Sequence, residues 1–326
     1  MAPSLSVSLL RSAAEHLVFK RRRAKALITV RSVRAGGYTW SYLEKASPSH
    51  AAIVVFIHGF SSEKDAWLPT VERLTESARI LVPDLPGHGA TTPVTADDDF
   101  GVQAQMRNLL TFLDKTCGPD APIHLVGHSM GGLIAGVFAA TFPSMVLSLT
   151  LVCPAGISMP TRSPVLAMLE DTGVNLMQAT TVDDMQQLMR FADGHHKGEK
   201  PATRSRFLLR FYAKHQADRI DVVTKILADM LPERRTLEDH LPIIEAETLV
   251  LWGSDDQILD VSCVDRIRLT GMESVVVAGC GHTIIKRRPE LVAAYVDRNV
   301  KRTERCRVDH DMSSVLTGSA CIDEYF

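Results

Sequence analysis

The chain has little that would cross-link it and no apolar run long enough to span a bilayer. Its six cysteines, Cys117, Cys153, Cys263, Cys280, Cys306 and Cys321, are scattered without any Cys-x-x-Cys spacing. Neither a disulfide framework nor a cysteine-based zinc site is therefore indicated, and a reducing compartment is the simpler reading. The formal net charge of −2 gives no reason to expect nucleic acid as a partner. His195-His196 with Asp193 resembles a metal cluster only weakly and reads better as a solvated loop, so neither a metal nor a cofactor is expected. Near the amino terminus Leu5, Leu9, Ala13 and Leu17 recur at helical spacing, but Arg11, Glu15 and His16 interrupt them. A spanning helix needs about twenty mostly apolar residues.

What the chain does have is Gly127-His128-Ser129-Met130-Gly131. The apolar run Ile123-His124-Leu125-Val126 precedes it as a buried strand. Gly132 to Ala139 follows as a buried helix rich in small residues. A tight strand-to-helix turn forces the serine into a strained conformation with its oxygen exposed, and the flanking glycines make room for that turn. A five-residue pattern with two free positions is only moderately specific, so its meaning depends on partners elsewhere.

Partners follow in one order. Ile53 to Ile57 reads as a strand ending in His58-Gly59-Phe60, where the Phe60 N–H would converge with that of Met130 on a developing oxyanion. Thr248 to Trp252 reads as another strand, followed by Gly253-Ser254-Asp255-Asp256. Ser274 to Ala278 leads into Gly279-Cys280-Gly281-His282. Serine, acid, histidine is the chain order of an α/β-hydrolase triad, with both late members just past the carboxyl ends of strands. Ser129 is then the nucleophile, His282 the base and Asp256 its orienting acid. Asp255 and Asp260 are rivals for the acid, and Asp256 is preferred for its Gly-x-x-Asp spacing from Gly253. Asp84 precedes the serine and reads as structural, His58 and His88 as parts of turns, and Cys280 as a packed small residue.

The fold class expected is α/β, a mostly parallel central sheet flanked by helices with an inserted helical cap. Residues 26–154 and 242–302 would form the core and 303–326 a polar tail. Residues 155–241 lose the strand rhythm and are rich in methionine, which adapts to irregular apolar ligands. Met159, Met168 and Met177 are the candidate substrate contacts there, against the plainer reading that they pack the cap on the core. Residues 1–25 join the amphipathic stretch to the basic cluster Lys20, Arg21, Arg22, Arg23 and Lys25. Three readings stand for this segment: attachment to an anionic membrane surface, an organelle transit peptide, or a cap helix packed on the domain. The localisation expected is intracellular, membrane-associated on the cytoplasmic side, with organelle targeting as the alternative.

Three groups of residues carry a family resemblance: Leu151 to Gly156; Phe56 to Ser61 with Lys64 to Leu68; and Trp252 to Ser262. Together they resemble the monoacylglycerol lipases of the α/β-hydrolase-domain six family, over about Val30 to Val300. The resemblance implies Ser129, Asp256 and His282 as triad, Phe60 and Met130 as oxyanion donors, and monoacylglycerols or related lysolipids as substrates. Family members carry an amino-terminal membrane-spanning helix, from which this charged amino terminus departs. Two other readings come from different classes: a hydrolase of a thioester, small-ester or carbon-carbon bond on the same triad, and a non-catalytic ligand-binding protein on the scaffold. The sequence does not fix oligomeric state.

Overall fold

The computed structural model describes residues 19–48, 51–75, 78–194 and 206–318, with side chains through Arg307. Eight strands form one sheet: β1 (Ile28–Ala35), β2 (Tyr38–Lys45), β3 (Ile53–Ile57), β4 (Arg79–Pro83), β5 (Ile123–His128), β6 (Val146–Val152), β7 (Glu247–Gly253) and β8 (Glu273–Val277). Their spatial order is β1-β2-β4-β3-β5-β6-β7-β8. The β1/β2 pair is antiparallel and closes through Gly36-Gly37, whose φ values of 57° and 86° suit the tight hairpin turn that needs two left-handed residues. β2 meets β4 antiparallel, and from β4 to β8 the pairing is parallel throughout.

Parallel strands covered on both faces need continuous apolar sequence rather than alternation. β5 is buried at all its positions and β7 at all but the first. The helix Met130–Thr141 is apolar around most of its circumference, which is stable only when it is enclosed. It lies against β3, β5 and β6 and beside the helix Val102–Cys117, which also packs on β1, while the helix Pro289–Gly318 packs on β6 and β7. That last helix passes residue 302 without a break, so no structural boundary falls where the sequence pattern suggested a tail. Trp40, Trp67 and Trp252 are fully buried, each worth about 3–5 kcal/mol on truncation to alanine. Trp252 also donates its indole N–H to the Leu259 carbonyl at 3.1 Å, which pins the loop carrying Asp256 to the end of β7.

Among the described residues between β6 and β7 are four longer helices, Pro164–Thr172, Val182–Asp193, Arg206–Ala217 and Ile220–Met230. Local signals set their ends. The Ser163 hydroxyl accepts from the Leu166 N–H and that of Thr181 from the Asp184 N–H, while Gly173 and Gly194 close the first two helices in left-handed conformation. These helices build two small apolar clusters apart from the main core, one around Met185, Leu209 and Ala213, the other around Val165, Leu176 and Ile258.

Of the amino-terminal segment, residues 1–18 lie outside the described residues and 19–25 are helical. Arg22 forms a two-pronged ion pair with Glu72, and Arg23 one with the buried Asp65. Two of the five clustered cations thus face the domain. Among the described residues no helix is long and apolar enough to cross a membrane.

Candidate active site

The chain turns abruptly at Ser129, between β5 and the helix Met130–Thr141. Ser129 has φ 55° and ψ −121°, a region that costs a non-glycine residue about 1–3 kcal/mol and persists only when the surroundings over-determine it. They do so here through the backbone. The Ser129 N–H donates to the Val152 carbonyl at 3.0 Å, and its carbonyl accepts from Gly132, Leu133 and Ala155 at 2.9 to 3.1 Å. A Cβ on Gly131 would overlap the Ile57 and His58 carbonyls, and one on Gly127 the Gly131 carbonyl, so the glycines are fixed by space. Ser129 itself remains partly exposed.

His282 follows β8 and is buried, with Nδ1 2.7 Å from Asp256 Oδ2. The other carboxylate oxygen of Asp256 accepts the Ile258 and Leu259 N–H groups at 2.9 and 3.0 Å. A carboxylate oxygen accepts, so Nδ1 carries the proton and Nε2 is left with a free lone pair. The rival acids are occupied elsewhere. Asp255 accepts from the Ser254 hydroxyl at 2.7 Å, and Asp260 from the Ser262 N–H at 2.9 Å. Cys280 is buried, with its carbonyl bonded to the Asp255 N–H.

Two residues that sequence reasoning passed over touch this pair. His128 is buried beside His282, ring centroids 4.9 Å apart, and donates Nε2–H to the His282 carbonyl at 2.9 Å. Burial and the adjacent His282 lower its pKa well below the ordinary range, so it stays a neutral donor. Cys153, at φ 42° after β6, has its sulfur close to both Asp256 and His282. Burial first, and then the Asp256 charge, push its thiol pKa well up. A neutral thiol beside an acid and a base already bonded to each other is a poor metal ligand.

On the other side of Ser129, β3 ends in His58-Gly59-Phe60. A Cβ on Gly59 would lie 3.2 Å from the Ser129 Cβ, so this loop runs directly past Ser129. Met130 opens the helix, in whose first turn the N–H groups have no intrahelical acceptor. His58 donates to the Gly59 carbonyl at 2.8 Å and accepts the Leu85 N–H at 3.1 Å, which holds the loop to the β4 end. Behind it Asp84 pairs with Lys64 at 2.6 Å in a buried ion pair, the structural role expected of it. His88 stands edge-on to Phe60 at 6.4 Å.

In the cap, Met159 Sδ accepts the Asp260 N–H at 3.4 Å, and Met168 and Met177 pack around Val165, Leu176 and Ile258. Asp193 is buried and accepts from the Thr283 hydroxyl at 2.7 Å, a partner that sequence spacing could not supply. The neighbouring His195 and His196 lie outside the described residues.

Residues 52–289 match the family model described as the alpha/beta hydrolase fold. The chain belongs to the α/β-hydrolase family. This hydrolase is 32% identical over 267 residues to a Xenopus laevis protein named monoacylglycerol lipase abhd6-A, covering 78% of this chain and 77% of that one. A Rattus norvegicus protein named monoacylglycerol lipase ABHD6 is 31% identical and covers 82% of this chain and 80% of its own. Among solved structures, one titled a membrane phospholipase A superposes with a TM-score of 0.79 at 30% identity, over 91% of this chain and 97% of that one.

His58, His88, His124 and His128 are buried, and burial is the first cause of a lowered pKa at each. The unfolded chain therefore binds more protons than the native one just below pH 6.5, the ordinary histidine value. Stability should be full above that pH and fall as pH drops through it towards the depressed native values. Thermal melts between about pH 7.5 and 5.5 check this, and a Tm that is flat or rises on acidification would contradict it.

Proposed function

We propose that this protein is a serine hydrolase that cleaves the ester bond of monoacylglycerols or related single-chain lipids through an acyl-enzyme. The observation that carries the reading is the Asp256–His282 bond on a loop whose His282 carbonyl is held by the residue next to Ser129. His282 Nε2 takes the Ser129 proton as Oγ attacks the acyl carbonyl, and the Phe60 and Met130 N–H groups receive the negative oxygen. The tetrahedral intermediate collapses as His282 protonates the leaving glycerol oxygen. Water, deprotonated by His282, then attacks the acyl-enzyme, and the fatty acid leaves with Ser129 restored. The names of the two relatives support a glyceride as substrate.

Residues 155–241 act in this reading as a cap over the acyl chain, with Met159, Met168 and Met177 along its path. Support comes from the packing of Met168 and Met177 around Ile258, two residues after Asp256, and from the bond between Met159 and the Asp260 N–H. Each methylene that enters this cover contributes up to about 0.8 kcal/mol, roughly fourfold in kcat/KM, until the space is full. Specificity should therefore climb from short to medium-chain monoacylglycerols measured below aggregation. A profile that is flat or highest at acetyl esters would remove the lipid reading and favour the small-ester or carbon-carbon alternative.

Membrane contact, in this proposal, is with an anionic surface through residues 1–25 on the cytoplasmic side. Lys20, Arg21 and Lys25 remain for it, since Arg22 and Arg23 pair with the domain. Each such cation contributes about 1 kcal/mol near an anionic leaflet. The full chain should co-sediment with anionic vesicles at low salt and the chain beginning at Ala26 should not. Equal binding by both would rule out this attachment.

A further inference from the structure

Polar contacts join the cap to the two loops that serve Ser129, on each side of it. On the base side, the helix Val182–Asp193 ends against the residue following His282. The Thr283 N–H donates to the Ala192 carbonyl at 3.0 Å, and the Thr283 hydroxyl to Asp193 Oδ1 at 2.7 Å. The approach is close enough that a Cβ on Gly281 would overlap the Gly194 nitrogen and the Ala192 carbonyl. Asp193 is 8% exposed and His282 8%, so little water competes for these bonds. On the oxyanion side, the Ser61 hydroxyl donates to Gln216 Oε1 at 2.8 Å, and the Gln216 amide donates to the Met177 carbonyl at 2.7 Å. Gln216 is buried, and Ser61, directly after Phe60, sits at φ 49°, a conformation that needs outside support.

We propose that Asp193 and Gln216 are positioning residues, through which the seating of the cap sets the placement of His282 and of the Phe60 N–H. This rests on the hydrolase reading above. Neither side chain is bonded to the triad itself. Each holds the residue that follows a catalytic group, so its effect falls on how often that group is in place. The consequence is a loss in kcat rather than in binding, even with a short ester that the cap does not enclose, because the latches act on the catalytic loops.

The test uses the full chain and a short soluble ester. Asp193→Ala and Thr283→Val should each lower kcat by about tenfold while KM stays within about threefold. Asp193→Asn and Thr283→Ser keep an acceptor and a hydroxyl, and should recover most of the loss. The double variant Asp193→Ala/Thr283→Val should be no worse than either single one, since both remove the same bond. Gln216→Leu, which keeps the bulk without the amide, should likewise cost kcat. Lys214→Ala, on the exposed side of the same helix, should leave kcat unchanged and serves as the control. Independent, multiplying losses at Asp193 and Thr283, a loss confined to KM, or a lowered Tm with kcat intact would each overturn the proposal. Thr283→Val preserves volume, so it stays informative should Asp193→Ala fail to fold. If His282→Ala remains active, the hydrolase reading has failed; if His282→Ala is inactive and Asp193→Ala and Thr283→Val turn over normally, only the latch has.

Discussion

Asp256→Asn is expected to lower turnover by about 10⁴-fold, whereas Asp255→Asn and Asp260→Asn should change it by less than about tenfold. The reason lies in the two sides of the Asp256 carboxylate. One oxygen accepts the Ile258 and Leu259 N–H groups, and the other accepts from His282. An asparagine must keep its oxygen on the two backbone donors, which turns its amide NH₂ towards His282 Nδ1. Nδ1 is then forced to accept, the ring proton moves to Nε2, and the nitrogen that should take the serine proton already carries one. The fold should survive, because the backbone bonds are retained. Steady-state kinetics of the three variants, with melts to check folding, decide the matter. A loss at Asp255 larger than at Asp256 would displace the acid by one residue.

Ser129→Ala should lower turnover by about 10³-fold or more and abolish labelling by a serine-directed fluorophosphonate. Alanine retains the backbone bonds to Val152, Gly132, Leu133 and Ala155 and removes only the attacking oxygen. The variant should therefore still bind substrate while forming no acyl-enzyme. Residual slow turnover is compatible with this, since an intact oxyanion site stabilises water attack without the serine. Retained labelling is not.

The parts of this site that were legible in the sequence are those carried by local pattern and chain order. Gly127 and Gly131 announce a turn that only glycine can flank, and the structure places Ser129 there at φ 55°. The Gly-x-x-Asp spacing from Gly253 favoured Asp256, which is the carboxylate bonded to His282. Patterns longer than a turn but still within one element, such as the apolar runs of β3, β5 and β7, also gave their strands to within two residues at either end. The antiparallel β1/β2 pair went unread, although Gly36-Gly37 between Ala35 and Tyr38 is a hairpin signal that could have found it.

What could not be read is the contact between residues far apart in the chain. Nothing about Asp193 foretells Thr283, ninety residues away, and beside His195 and His196 it suggests a ligand cluster instead. His128 looks like a free position of the motif until its bond to the His282 carbonyl is seen. Arg22 and Arg23 belong to a basic run that reads as one unit, yet they are taken up by Glu72 and Asp65. The boundary drawn at residue 302 followed polarity, but an exposed helix face is polar too, and Pro289–Gly318 continues through it. Cap methionines remain the least legible case, because the flexibility that suits an acyl chain suits core packing equally well.

The most direct measurement is peptide mapping of the wild-type chain after reaction with a fluorophosphonate, run beside monoacylglycerol hydrolysis. One adduct on the peptide containing Ser129, formed in step with the loss of hydrolysis, is the expected result. Hydrolysis that persists in fully labelled protein, or an adduct on any other residue, would contradict a Ser129 acyl-enzyme.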